Sequence, residues 1–156
     1  MNLTSLSYGT SLSSPTPVYR STSDPINALV DTGSTYTLLP SEVVNALAEE
    51  LDAWNEAGEW KVDCALRDVA GTVNFGFEDV LIRVPYADFL LRVQDDSCWL
   101  GVKASEADGG GKADAILGDT FLRGAYGESS LALLSWLRSA KRCCEMFRGD
   151  RGADWV

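Results

Sequence analysis

The sequence predicts a mainly β fold with one substantial helix, and three features carry that expectation. Apolar and polar residues alternate in several short runs, the period of a strand with one buried face. One stretch, residues 42 to 56, repeats its apolar residues at helical spacing instead. Glycine and proline then separate the runs at the short intervals of a strand-built domain. A chain of 156 residues with 46% apolar composition suffices for one domain, or one lobe of something larger, with a real core.

Thr10 to Ser23 is rich in Ser, Thr and Pro and reads as a loop between two strands. Ile26 to Val30 is a mostly apolar strand that ends at a turn begun by Asp31. Pro40 then precedes Ser41, a good helix N-cap, and Glu42 lies in the first turn, where the helix dipole favours an acid. Val44, Leu47, Ala48, Leu51 and Trp54 follow at helical spacing, so an amphipathic helix is expected over 42–56, ended by Gly58. Beyond it the period falls to 2. Trp60, Val62, Cys64 and Leu66 recur at every second position, as do Val73, Phe75 and Phe77, and then Val80, Ile82 and Val84, predicting short antiparallel strands. Tyr86 to Val93 and Cys98 to Val102 are expected to be extended. "SEADGGGKAD" reads as a flexible loop, and "AILGDTFLRGAY" as a buried strand entering a Gly-Asp turn.

After Arg123 the character changes. "ESSLALLSWLRSAKRCCEMFRGD" reads as a basic, amphipathic helix capped by Ser129 or Ser130, so residues 127–156 are expected to form a helical tail outside the preceding fold.

Composition excludes several functions. With 13 basic and 23 acidic residues the net charge is −10, which repels phosphate backbones and anionic membranes, so no nucleic-acid partner is expected. No run is long and apolar enough for a membrane segment, and "MNLTSLSYGT" lacks the basic start and apolar stretch of a secretory signal. The chain has no histidine, which removes the usual base for serine and cysteine nucleophiles and the usual zinc ligand. Acid–base chemistry would rest on carboxylates, and no cofactor or metal is expected. Four cysteines form no CxxC pair, and on pattern alone Cys64 and Cys98 are either a disulfide or two buried thiols.

The chemistry concentrates in "ALVDTGSTYTLLP", residues 28 to 40. Three readings of Asp31 compete. An Asp-Thr-Gly turn can simply terminate a strand, since these are common turn residues. A phosphate-binding hairpin of the actin and sugar-kinase type also uses an Asp-x-Gly-Ser-Thr turn, but there a second strand of the hairpin follows, whereas Pro40 and a helix come next here. No basic residue lies between Asp31 and Lys61 to meet phosphate charge.

The third reading rests on two motifs together. An apolar strand runs into Asp31-Thr32-Gly33-Ser34, a short span and a helix; later comes Ile116-Leu117-Gly118-Asp119, followed by Thr120, Phe121 and Leu122. This combination resembles the pepsin-like aspartic proteases over roughly Asn2 to Tyr126, and its spacing is similar to that of their carboxy-terminal lobe. The resemblance implies a single lobe of the double-β-barrel acid protease fold over residues 1–126, incomplete at its carboxy end, and a secretory, extracellular or vacuolar location. It implies that Cys64 and Cys98 form the lobe's disulfide, and Asn2 in Asn2-Leu3-Thr4 is then a glycosylation sequon.

In that family two such loops face each other so that two carboxylates share one proton and activate a water against a peptide carbonyl. The resemblance therefore implies that Asp31 is the catalytic residue and that Thr32 braces the pair. It implies that Gly33, Ser34 and Thr35 line the substrate, and that Ile116, Leu117 and Gly118 support the loop. The partners implied are a polypeptide substrate and an amino-terminal lobe that this sequence lacks, so the isolated chain is expected to be inactive. The alternatives are the phosphate-loop nucleotide protein and an inactive β domain that binds peptides.

Overall fold

A computed structural model describes residues 1–10, 13–78, 80–93, 97–105 and 114–127. The chain runs through β1 (Asn2–Leu3), β2 (Ser5–Thr10), β3 (Thr16–Arg20), β4 (Ile26–Val30), β5 (Thr37–Leu39) and α1 (Ser41–Glu50). It continues with β6 (Trp54–Glu56), β7 (Glu59–Asp63), a 3-10 turn (Cys64–Asp68), β8 (Gly71–Phe77), β9 (Val80–Pro85) and α2 (Tyr86–Phe89). β10 (Leu91–Arg92), β11 (Ser97–Trp99), β12 (Val102–Ala104), β13 (Ala115–Leu117) and α3 (Asp119–Gly127) complete it. No helix among these residues is long and apolar enough to cross a membrane. The glycine-rich residues 106–113 and the expected tail from residue 128 on lie outside the described residues.

The strands form three sheets among the described residues. One is five-stranded and mixed, in the order β1-β4-β13-β5-β12; the others are antiparallel, β10-β11-β7-β6 and β3-β2-β8-β9. The alternation read from the sequence decides which side chains enter the core. Val73, Phe75 and Phe77 of β8 are buried, as are Ile82 and Val84 of β9 and Leu6 of β2. Phe121 of α3 meets Phe75 and Phe77 edge-on, with ring centroids 5.0 and 5.9 Å apart, so α3 is anchored on the β8 face. Val43, Val44, Leu47 and Ala48 form the buried stripe of α1.

Several expectations needed correction. The helix does not run to residue 56: it stops at Leu51, and Trp54–Glu56 is a strand paired with Glu59–Lys61. Asp52 takes a left-handed conformation (φ 51°), Ala53 N donates to Ala48 O and Asp52 N to Glu49 O, which together make a Schellman terminus with aspartate where glycine is usual. Gly58 instead serves the next turn, where Ala57 and Gly58 both have positive φ and join β6 to β7 in a two-residue hairpin. Trp54 is consequently on the surface, 45% exposed.

Ser41 is the first helical residue rather than the cap, and Pro40 holds the cap position without a side-chain bond. The Thr10–Ser23 segment contains β3, an edge strand in which Pro17 is tolerated because one side of the ladder is open. Cys64 and Leu66 leave the strand for a 3-10 turn, capped by the Asp63 carboxylate accepting from Ala65 N at 2.8 Å. Tyr86–Phe89 is a helical turn begun by Pro85, and the extended stretch from Cys98 breaks at Gly101 between β11 and β12.

Cys64 and Cys98 are joined in a disulfide that ties the 3-10 turn to β11, both residues being buried. The bridge spans 34 positions, and loop-closure entropy sets its expected contribution at about 3–4 kcal/mol. Replacing both cysteines by alanine is expected to lower unfolding stability by about that amount; a urea midpoint equal to the parent's would refute it.

Candidate active site

The position of Asp31 follows from strand order. β4 and β13 are parallel, with Ala28 opposite Ala115, Leu29 opposite Ile116 and Val30 opposite Leu117, so both strands end at one edge of the sheet. Asp31 and Gly118 are the next residues on each. Asp31 N extends the ladder by donating to Leu117 O at 3.1 Å. The chain then crosses the end of β13 and returns as β5 on its far side, where Leu38 pairs with Ile116. A phosphate-binding hairpin would pair β4 with β5 directly; here β13 lies between them.

That crossing needs a residue without a side chain below it. A Cβ on Gly118 would lie 2.2 Å from Tyr36 O and 2.6 Å from Ser34 O, inside the contact distance of any carbon and oxygen. The amino end of α3 adds two ties, since Asp119 N donates to Ser34 O at 2.7 Å and Thr120 N to Thr35 O at 3.1 Å. Amides that a helix start leaves without intrahelical partners are thus used to hold the loop.

Within the loop, Asp31 is half-buried and its carboxylate is oriented by two local bonds. Gly33 N donates to Oδ1 at 2.9 Å and Ser34 Oγ to Oδ2 at 3.1 Å. Thr32, Gly33 and Thr35 are exposed, Ser34 is half-buried, Leu117 and Gly118 are buried, and Ile116 is half-buried on the same side of the sheet as exposed Leu29. The two motifs are therefore adjacent, while the Cys64–Cys98 bridge belongs to the separate β10-β11-β7-β6 sheet and its flanking turn. Glu42 sits in the first turn of α1, and Asp119 pairs with Arg123.

The far end of the loop is aromatic and charged. Tyr36 lies 6.4 Å from Trp99 between ring centroids, and Lys103 Nζ sits 4.1 Å above the Tyr36 ring while bonding Glu59 at 2.6 Å. Burial, and then the Glu59 charge, pushes the Tyr36 phenol up to about 12. Three further residues escaped the sequence reading: Thr37, Thr120 and Gly101, which meet beneath the loop. Thr37 and Thr120 are fully buried and hydrogen-bonded to each other across 83 positions, a contact that no local pattern announces. The one available signal was a threonine directly after the Gly118-Asp119 turn, at the start of an otherwise apolar helical face.

Comparison with known proteins agrees with this geometry. The family model of the eukaryotic aspartyl proteases matches residues 1–131. Aspartic proteinase yapsin-3 of Saccharomyces cerevisiae is 36% identical over 107 residues, covering 67% of this chain and 20% of that protein. Gastricsin of Oryctolagus cuniculus is 34% identical, covering 67% of this chain and 27% of its own. A probable aspartic-type endopeptidase, opsB of Aspergillus oryzae, is 30% identical over 161 residues, covering 91% of this chain and 32% of its own. The chain thus spans no more than about a third of the length of these relatives. With a family model matched over most of its length and both signature motifs side by side, the chain belongs to the eukaryotic aspartyl protease family.

Proposed function

We propose that this chain is the carboxy-terminal lobe of an aspartic endopeptidase, residues 1–126, and that Asp31 supplies one of two carboxylates that together activate water. One observation carries the reading: a half-exposed carboxylate just past the ends of two parallel strands, oriented by Gly33 N and Ser34 Oγ over a clamped backbone. Two carboxylates brought to contact cannot both ionise, so the pair holds a single proton. One acts as base on the water and the other as acid to the peptide carbonyl. In this reading Thr32 braces the pair across to a facing loop, and Gly33, Ser34 and Thr35 bond the substrate backbone; the exposure of Thr32, Gly33 and Thr35 supports it. Ile116, Leu117 and Gly118 hold the loop from beneath.

The partner is an amino-terminal lobe carrying the second aspartate, and the substrate is an unfolded or extended polypeptide. A disulfide in the lobe fits an oxidising compartment, hence the secretory pathway. The test is to incubate the 156-residue chain with an unfolded protein substrate across about pH 3 to 6, where a carboxylate pair would hold one proton. No cleavage above background is expected, because half of a two-carboxylate unit retains almost none of its effect. Robust cleavage together with a dimer in solution would show that two copies of Asp31 suffice and would overturn the requirement for a different lobe.

A further inference from the structure

We infer that the Thr120 hydroxyl is the positioning group for the Asp31 loop, joining three separate segments of chain beneath it. The hydroxyl is fully buried and uses every bond it can make. It donates to Gly101 O at 2.7 Å, accepts from Thr37 N at 3.1 Å, and lies 3.2 Å from Thr37 Oγ1. A hydroxyl has one proton, and Gly101 takes it; the Thr37 hydroxyl is therefore the donor of the pair. Gly101 is held close by the same packing, since a Cβ there would lie 2.0 Å from Phe89 O and 3.0 Å from the Thr120 side chain.

The consequence concerns where the loop is anchored. Asp31 N is tied to Leu117 O at the loop's entry, Ser34 O and Thr35 O to the first amides of α3, and Thr37 N to Gly101 O and Thr120 Oγ1 at the exit. Thr120 supplies two of these ties, one from its amide and one from its side chain. It does not touch Asp31, so its role is to fix the backbone on which the carboxylate is aimed. Valine has the shape of threonine and would keep the packing, but would take away the partner of the buried Thr37 hydroxyl and leave Gly101 O and Thr37 N with only their bond to each other. Serine would keep the hydroxyl and lose only a methyl group.

The experiment is amide hydrogen exchange on the 156-residue chain, read at Asp31, Thr37, Asp119 and Thr120. In Thr120→Val these four amides are expected to exchange about tenfold faster or more, the loss of one to two net hydrogen bonds. Val73 and Phe75 in β8 are expected to stay within about threefold, and Thr120→Ser to hold all six within about threefold of the parent. Acceleration shared equally by β8, no acceleration, or no rescue by serine would overturn the inference. So would rapid exchange of the four amides in the parent itself, whether or not the variants fold.

A second readout rests on the proposed function. In the chain joined to a complementary amino-terminal lobe, Thr120→Val is expected to lower kcat about tenfold with KM within about twofold, and serine to restore it. A loss carried by KM would count against the inference. Retention of activity by Asp31→Asn would instead remove the endopeptidase reading and leave the exchange result standing.

Discussion

Asn at position 31 is expected to abolish peptide hydrolysis, by about four orders of magnitude or more, in any protein that presents this lobe opposite a second aspartate. The substitution is nearly isosteric, so it removes the charge and the proton site while leaving an oxygen to accept from Gly33 N, a bond now 2.9 Å long. Fold and stability should therefore be nearly unchanged. The measurement is kcat/KM on the chain joined to a complementary amino-terminal lobe, with the Asp31 parent as positive control and thermal unfolding run alongside. Activity that survives the change would remove Asp31 from the reaction. Lost activity accompanied by lost folding would place the effect in the loop's architecture instead.

Gly118→Ala is expected to be strongly destabilising. Three backbone atoms, Tyr36 O, Ser34 O and Tyr36 C, would lie within 2.8 Å of the new carbon. None is the end of a flexible side chain, and the hydrogen bonds to Ser34 O, Thr35 O and Thr37 N hold that backbone in place. The expected loss is about 3 kcal/mol or more, beyond ordinary overpacking, with an unfolding midpoint lower by about 10 °C. Gly58→Ala is the matched control, since nothing lies within 4 Å of its Cβ and only its positive φ of 87° is strained. About 1 kcal/mol is expected there. Equal effects at the two sites would mean that the loop can move off β13, contrary to the anchoring described above.

Much of the strand content was legible because burial on one face imposes a period of 2, as in Val73-Phe75-Phe77 and Ile82-Val84. Helix α1 was legible for the same reason, from Val44, Leu47 and Ala48. Its end was not. Trp54 continues the helical spacing by coincidence, and the terminating residue is Asp52, whose left-handed conformation is rarer than that of glycine and carries no pattern of its own. β3 was missed because Pro15 and Pro17 signal a loop, while an open sheet edge tolerates Pro17 without penalty.

The candidate site divides in the same way. Asp31-Thr32-Gly33-Ser34 and Ile116-Leu117-Gly118 were visible as motifs, because a functional loop and the small residue beneath it require particular side chains. Their adjacency, which the family resemblance implied, is made by β4 and β13 lying parallel and side by side, a pairing that no pattern in either strand specifies. Thr37 and Thr120 lie within the same two stretches, but their contact depended on that pairing and nothing local announced it.

By itself, then, the sequence determined which faces are buried and where the acid sits. The choice of neighbours, β13 between β4 and β5 and α3 against β8 and β9, was decided by the tertiary structure. The reason is physical: a side chain's burial preference is local and recurs with the period of its own segment. Backbone ladders are made by groups that every residue carries, so their register is selected only when distant segments compete to fill one core.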